Sequence, residues 1–299
     1  MNRLKQPWLE CAAAIAIVVF ALALLFPMAS LARSSGKSVL CFANLHILGK
    51  AWLLYAEDNE MNIVGSATYE EDGWQTHRYP AWAPTGNIRV KNFVASPQDQ
   101  NGIYRNNLEI DEYRGIRRGG LWPYIETIAS YHCPSDIRYL SHPDFSPNSF
   151  GGFRSYSIGC PYNGYAAGEG WNTGEYFATV YKTGEIKAPS SKIVFVEEQN
   201  AGGWNANTWD IFLNDASRWP GDPIACPHQK KSNFNFADGH VEPHAWKDLT
   251  TLAVFERQLT NTNLYPYMQN EGTDLTWFVS HYIPGEIRPE LKAMLPAYK

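Results

Sequence analysis

The residues best suited to chemistry lie in one short segment of the chain. Nine residues separate His228 from the dipeptide Asp238-Gly239, and His240 follows directly. Carboxylates could ligate calcium and histidines a transition metal, but a His–Asp hydrogen bond that closes a turn is the simpler interpretation. We therefore predict no metal site, and we name His228, Asp238 and His240 as the candidates should a metal be bound.

Catalytic motifs are absent from the rest of the sequence. No Ser or Cys nucleophile stands in a recognisable elbow, and no phosphate-binding loop occurs. Glu197 and Glu198 end a predicted strand, so they point to opposite faces, and solvation or a backbone hydrogen bond is expected for each. We predict no enzyme activity and no cofactor. A metal-dependent enzyme centred on His228 and Asp238 is the catalytic alternative.

The five cysteines predict neither a zinc motif nor a fixed disulfide framework. Cys11 lies in an apolar N-terminal segment, and the body contains the other four without a CxxC pair, which weakens zinc and thioredoxin-like interpretations. In an exported domain four cysteines could form up to two disulfides. One disulfide or none fits the sequence equally well, and the candidates are Cys133, Cys160 and Cys226.

The elements that must position these residues include a β-hairpin. Asp238-Gly239 between alternating residues predicts a two-residue type I′ turn, which needs positive φ at both central positions. With that turn, Phe236 lies opposite Val241. Phe234, Phe236 and Val241 would then share one apolar face.

Other local patterns predict strands and helices around the hairpin. The β-branched run over residues 191–196 is the strongest strand prediction. Residues 247–258 have helical spacing and predict a short helix. Residues 277–279 predict a last strand, and turn formers over 60–130 predict loops with short elements.

The N-terminal segment predicts a membrane helix. Residues 11–29 contain no charge, and a helix of that length approaches the ~30 Å hydrocarbon core. Arg3 and Lys5 precede it, which predicts a cytoplasmic N-terminus. A cleaved signal peptide ending at Ser30-Leu31-Ala32 is the alternative. We favour retention, because the apolar run exceeds the usual length of a signal peptide core and helical patterning continues beyond the possible cut.

That continued pattern is a stripe of residues spaced by four, three, four and three positions. Such spacing places apolar side chains on one face of a helix. Gly36 lies at the junction but does not exclude one continuous helix. The stripe consists of Cys41, Leu45, Leu48, Trp52 and Tyr55.

Several of these segments resemble one known group of proteins. Leu9-Glu10, the apolar run and Pro27, seventeen residues after the glutamate, resemble the N-terminal helix of type IV pilins and type II secretion pseudopilins. Residues 41–45 and 55–59 resemble the second half of that helix, and residues 133–136 (CPSD) resemble another element of the same group.

The histidine segment completes the resemblance. The spacing from His228 to Asp238-Gly239 is similar to the signature of the prepilin-type H-X9-DG processing-associated domain. The resemblance implies that Glu10 is the assembly glutamate and that Pro27 kinks the helix. The sequence departs from the family at the processing site, where Lys5-Gln6 replaces a glycine followed by an aromatic residue.

The expected fold is α+β, with a long N-terminal helix packed on an antiparallel sheet in a pilin-like arrangement with large loop insertions. The predicted organisation is a cytoplasmic N-terminus over 1–9, a transmembrane helix over 10–32, its amphipathic continuation over 33–59, and a globular domain over 60–299 that includes the hairpin at 228–246. The resemblance implies a structural subunit or tethered accessory protein in the bacterial inner membrane. Its body would be periplasmic, and its partners would be lipid and other pilin-like subunits or secretion-system components.

Composition limits the alternatives. A net charge of -5 spread along the chain argues against nucleic acid as a partner. The eleven tryptophans allow a different function, a tethered or secreted glycan-binding module whose loops stack on sugars. Its candidate residues are Trp171, Trp204, Trp209 and Trp219.

Overall fold

A computed structural model describes most of the chain. The described residues are 7–66, 74–77, 88–105, 108–137, 153–163, 179–198, 209, 218–219, 224–260, 268–269, 273–286, 289 and 293. In several parts of these ranges, among them 9–10 and 24–31, only the backbone is described.

One long helix dominates the N-terminal part of the molecule. Helix α1 runs from Pro7 to Asp58, and at 1.5 Å per residue its 52 residues extend about 78 Å. The helical backbone continues through Pro27 and Gly36. Its first part, Cys11–Ala23, is apolar and exposed, whereas the predicted stripe from Cys41 to Tyr55 is buried.

A four-stranded antiparallel sheet lies against the second half of α1. Its strands are β3 Tyr156–Ile158, β4 Ile193–Glu197, β6 Lys231–Phe236 and β7 Val241–Ala245. The strand order is β3-β4-β6-β7, and β6 makes many of the contacts with the helix. The predicted strand over 191–196 is confirmed as β4.

Shorter elements surround this sheet. Two pairs of strands, β1 with β2 and β5 with β8, are also antiparallel. Their bounds are β1 Trp74–His77, β2 Ile88–Lys91, β5 Arg218–Trp219 and β8 Met268–Gln269. The helices after α1 are α2 Glu109–Arg118, α3 Trp122–Ile125, α4 Leu249–Thr260 and α5 Asp274–Tyr282, with 3₁₀ turns at Ile128–Tyr131, Thr183–Glu185 and Pro189–Ser191.

The predicted last strand over 277–279 is wrong, because these residues lie inside helix α5. Their aromatic and β-branched side chains favour a strand locally. In the folded chain, Phe278 and Val279 are buried with Leu275 and Tyr282, which is the spacing of a helix face. Tertiary packing therefore overrides the local preference.

The sheet separates two hydrophobic cores. The first lies between α1 and the sheet and contains Trp52, Phe195 and Val241. The second contains Phe234 and Phe236 of β6 together with residues of α4 and α5. The fold class is therefore α+β, with an apolar N-terminal helix and an antiparallel sheet.

The predicted hairpin forms, but its register differs by one residue. Asn235 is opposite Val241, so Phe236 faces His240 across the turn, and their rings stack. Gly239 has φ +90°, whereas Asp238 is not among the residues with positive φ. A type I turn followed by one glycine in the left-handed region gives a three-residue loop, and this loop replaces the predicted type I′ turn. Val241 consequently faces α1, on the opposite side from Phe234 and Phe236.

Candidate functional site

Four side chains with metal-ligating atoms meet between α1 and the sheet. They are Cys41, Cys133, Glu197 and His228, and all four are buried. One ligand atom of each lies within 4.8 Å of the ligand atoms of the other three. Two thiols, one carboxylate and one imidazole therefore share a small space inside the protein.

Each residue reaches the cluster from a different part of the fold. Cys41 begins the buried stripe of α1, and Cys133 follows the 3₁₀ turn Ile128–Tyr131. Glu197 is the last residue of β4. His228 precedes β6, and its backbone N–H donates to the carbonyl of Lys231. The cluster consequently links the long helix to two adjacent strands of the sheet.

The carboxylate of Glu197 is central to the hydrogen bonding. Its Oε1 accepts a hydrogen bond from Cys41 Sγ at 2.8 Å and lies 3.0 Å from His228 Nε2. Its Oε2 accepts a hydrogen bond of 2.7 Å from the backbone N–H of Asn233 on β6. The two oxygens thus have different partners, since Oε2 is hydrogen-bonded to the backbone of β6 and Oε1 faces the other three residues of the cluster.

The imidazole of His228 has neighbours at both nitrogens. Nε2 faces Glu197 and lies 3.5 Å from Cys133 Sγ. Nδ1 lies 3.5 Å from the hydroxyl oxygen of Ser135, in the turn after Cys133. These contacts direct Nε2 into the cluster and Nδ1 out of it.

The protonation states of the cluster depend on one another. Burial raises the pKa of Cys41, and the Cys133 thiol and the Glu197 charge raise it further. Burial alone would raise the pKa of Cys133, but hydrogen bonds from Cys41 and His228 bring it below its usual value. Burial would lower the pKa of His228, but hydrogen bonds to Cys133 and Glu197 raise it to about 10. Hydrogen bonding within the cluster thus opposes the effect of burial at both Cys133 and His228.

The metal candidates named from the sequence do not form one site. His228 lies before the start of β6 and Asp238 lies beyond its end, so about 20 Å of strand separates them at 3.3 Å per residue. The carboxylate of Asp238 instead bonds His240 within the turn, and both side chains are partly exposed. The His–Asp hydrogen bond in the turn thus joins His240 to Asp238 and does not involve His228. His228 has different partners.

The candidate disulfide cysteines are not bonded to one another, and all five cysteines are free thiols in this structure. Cys133 lies beside Cys41, which the sequence analysis placed in the helix stripe. Cys160 is fully buried, and its backbone N–H donates to Trp209. Burial raises the pKa of the remaining candidate, Cys226, to about 11.

Sequence reasoning did not find Cys41, Cys133 and Glu197 as potential ligands. They and His228 lie at positions 41, 133, 197 and 228, so no short ligand spacing exists to recognise. Of the two alternatives expected for Glu197, the structure shows the backbone hydrogen bond, since the side chain is fully buried and accepts from the N–H of Asn233. The sequence singled out the segment of each residue for a different reason, as a helix stripe, a turn, a strand and a hairpin, and none of these patterns indicates a metal ligand.

The other predicted sites are described only in part. For Glu10 and Pro27 the structure describes the helical backbone and not the side chains. Trp209 is fully buried against Phe278 and Tyr282, so it is not available to stack on a sugar. Trp171, Trp204 and the side chain of Trp219 lie outside the described residues.

Comparison with known proteins adds no assignment: no family model, no curated protein and no solved structure matches this chain. Within the described part of the chain, the segment long and apolar enough to cross a membrane, by length and composition alone, is Ala32–Asp58, and Cys11–Ala23 is a shorter apolar segment of the same helix. That helix lies near the N-terminus, so it could be a single membrane span or a signal sequence.

Proposed function

We propose that this protein is a single-pass membrane subunit of a pilin-like or pseudopilin-like assembly and that it acts through helix packing, without catalysis. The observation that carries the proposal is the division of α1 into two parts. Its first part is apolar and exposed, whereas its second part is the buried support of a folded body. Exposed apolar surface of this extent needs either lipid or another protein to cover it.

The first part of α1 is the segment that we assign to the membrane. Large apolar side chains between residues 15 and 22 are about half to two thirds exposed. They are Ile15, Ile17, Val18, Val19, Phe20 and Leu22. The later stretch Ala32–Asp58 is also apolar, but 44% of its most apolar window is buried within the protein. We therefore place the span at 10–32 and the body on the far side, following Arg3 and Lys5.

A second exposed surface on α1 supports association between copies. Leu40, Ile47 and Leu54 are exposed and recur every seven residues, so they lie along one side of the helix. Cys41 and Leu48, one position later, face the core. The same helix therefore offers one apolar face to its own body and another outward. A second copy of α1 is the partner that we assign to the outward face, since a seven-residue repeat of apolar side chains on one helix is the pattern by which two such helices pack together.

The resemblance to type IV pilins and pseudopilins gives Glu10 a role in this arrangement. A carboxylate at the edge of the hydrocarbon region is costly unless a positive group lies nearby. In the proposed assembly Glu10 pairs with a positive charge of a neighbouring subunit. Lys5-Gln6 at the processing position favours a subunit that keeps its N-terminus.

Membrane retention is tested by fractionating cells and determining the N-terminal sequence of the protein. We expect the protein in the membrane pellet after alkaline extraction, with a start at Met1 or near Gln6. A soluble product that starts at Arg33 would show that the segment is a cleaved signal peptide and would overturn the proposed anchor.

Helix association is tested at Cys11, a natural exposed cysteine at the start of the apolar segment. Mild oxidation of membranes should produce a disulfide-linked dimer, because packed α1 helices bring two copies of Cys11 together. Cys11→Ser is the matched control and should abolish the dimer. Glu10→Ala should reduce it, and a dimer yield unchanged by Glu10→Ala would count against the assembly role.

A further inference from the structure

We propose that Cys41, Cys133, Glu197 and His228 bind one zinc ion, and that this ion fastens helix α1 to the sheet. The proposal goes beyond the assembly function, since it concerns how the body of each subunit is held together. It assigns a metal to residues that the sequence analysis had placed in a helix stripe, a turn, a strand and a hairpin.

The ligand types are those that zinc prefers. Structural zinc sites use four cysteine and histidine ligands in tetrahedral geometry, and carboxylate oxygens are also zinc ligands. Soft thiolates disfavour magnesium and calcium, whose ligands are oxygens. Two sulfurs, one nitrogen and one oxygen complete a tetrahedron. No position is left for water or substrate, so the site is structural.

The distances fit a small tetrahedral ion. With bonds of about 2.0 to 2.3 Å, the ligand atoms around zinc are separated by roughly 3.3 to 3.8 Å. Here Cys41 Sγ and His228 Nε2 lie 2.8 and 3.0 Å from Glu197 Oε1, Cys133 Sγ lies 3.5 Å from Nε2, and no pair of ligand atoms exceeds 4.8 Å. Shifts of about an ångström in these side chains would bring all four atoms to zinc-binding distance.

The surrounding contacts orient the ligands as a metal site requires. Metal-binding histidines usually donate their second ring N–H to an oxygen, and ligating carboxylates are usually hydrogen-bonded. Ser135 lies next to Nδ1 of His228, and the Asn233 N–H holds Oε2 of Glu197. The remaining atoms, Nε2 and Oε1, are the ones directed at Cys41 and Cys133.

The burial of the cluster supports a bound cation. A carboxylate and two thiols that lie completely inside a protein are costly to ionise without a compensating charge. A divalent ion bound between them supplies that charge. As zinc binds, thiols release their protons, since the ligating forms are thiolate and neutral imidazole.

A groove beside the cluster provides access for the ion. It has a volume of about 250 Å³ and lies between α1 and the segment that begins β6. His228 lines it, opposite Ser34, Ser35 and Ser38 of the helix. His228 thus borders both the groove and the buried cluster.

The experiment measures zinc in the full-length protein, purified in detergent without chelator. We expect one zinc ion per chain. Cys41→Ser and His228→Ala should each reduce bound zinc at least tenfold. Cys226→Ser is the matched control, because it removes a cysteine outside the cluster, and it should retain the metal.

Two further variants separate metal binding from folding. Glu197→Gln keeps the shape of the side chain and should fold, but should weaken zinc binding. His228→Cys replaces one good zinc ligand by another and should restore zinc relative to His228→Ala. Cobalt substitution should give the visible bands of a tetrahedral site with thiolate ligands, and Cys133→Ser should weaken its charge-transfer band.

Three results would overturn the proposal. One is folded protein that neither contains zinc nor takes it up. Another is a Cys41–Cys133 disulfide found by peptide mapping. The third is equal loss of zinc in Cys226→Ser. These measurements use isolated protein, so their failure leaves membrane retention and Cys11 crosslinking to be judged separately.

Discussion

At the residue scale, buried polar groups define the specific contacts of this protein. Glu197 accepts hydrogen bonds from Cys41 on α1 and from the backbone of β6, so one side chain joins two elements. Asp274 makes similar contacts, since its carboxylate accepts hydrogen bonds from the backbone N–H groups of Lys247 and Asp248. Both carboxylates are fully or almost fully buried. Removing either would leave buried donors without partners, which typically costs about 1–3 kcal/mol.

The turn of the hairpin gives a prediction for one residue. Gly239 has φ +90°, and an added Cβ would lie 3.0 Å from Leu53 Cδ1. Gly239→Ala should therefore lower the free energy of unfolding by about 1–2 kcal/mol, the usual cost of a left-handed conformation for an L-residue. Denaturant unfolding checks this. Gly184→Ala is the matched control, because nothing lies within 4 Å of its added Cβ, and an equal loss there would contradict the explanation.

At the element scale, the position of α1 on the sheet depends on a close approach to β6. A Cβ added to Gly49 would lie 2.0 Å from Nδ2 of Asn235. Glycine at this position thus lets the helix lie directly on the strand. Tight packing here also brings Cys41, two turns earlier on α1, to Glu197.

Two glycines of the same helix should respond in opposite ways. Gly49→Ala should destabilise the protein by about 1–3 kcal/mol, because the added methyl group overpacks the contact with Asn235 and pushes the helix away from the sheet. Gly36→Ala should be neutral or stabilising by up to about 1 kcal/mol, because no atom lies within 4 Å of its added Cβ and alanine favours the helix. Thermal unfolding in detergent measures both. Equal effects of the two substitutions would show that helix propensity, not packing, decides.

At the scale of the whole molecule, α1 has two apolar faces with different tasks. The face containing Leu48 belongs to the core, and the face containing Ile47 is exposed. The first determines the stability of each subunit. In the proposed assembly, the second packs against a neighbouring copy of the chain.

Neighbouring positions on α1 should therefore separate stability from association. Leu48→Ala should cost about 2–5 kcal/mol of unfolding free energy, as for other buried leucines. Ile47→Glu should change stability by less than about 0.5 kcal/mol. It should, however, reduce Cys11 crosslinking in membranes. Undiminished crosslinking in folded Ile47→Glu would remove this face from the proposed interface.

Metal removal gives the last prediction for the whole molecule. If zinc joins α1 to the sheet, a strong chelator should lower the unfolding temperature, and zinc should restore it. A ligand present at 100 times its dissociation constant stabilises the native state by about 2.7 kcal/mol. Magnesium is the control and should restore nothing, since it disfavours thiolate ligands. An unfolding temperature unaffected by chelation, with the metal shown to be removed, would contradict a structural role.

The sequence by itself determined the elements whose signals are local. Residues from Cys41 to Tyr55 repeat at helical spacing and are buried as predicted, and the β-branched run before Glu197 forms β4. The sequence shows these patterns because the side chains on the buried face of a helix or strand recur with the period of that element. The exposed apolar start of α1 follows equally from its composition.

Only the tertiary structure decided which distant residues meet. Cys41, Cys133, Glu197 and His228 come together because α1 packs on the sheet, and no spacing along the chain encodes that contact. Packing also decided the helix at 277–279 and the one-residue shift of the hairpin register. Local preferences differ by about 1 kcal/mol or less per residue, whereas burying one large apolar side chain contributes about 1.5–3 kcal/mol. Long-range packing therefore prevails wherever the two compete.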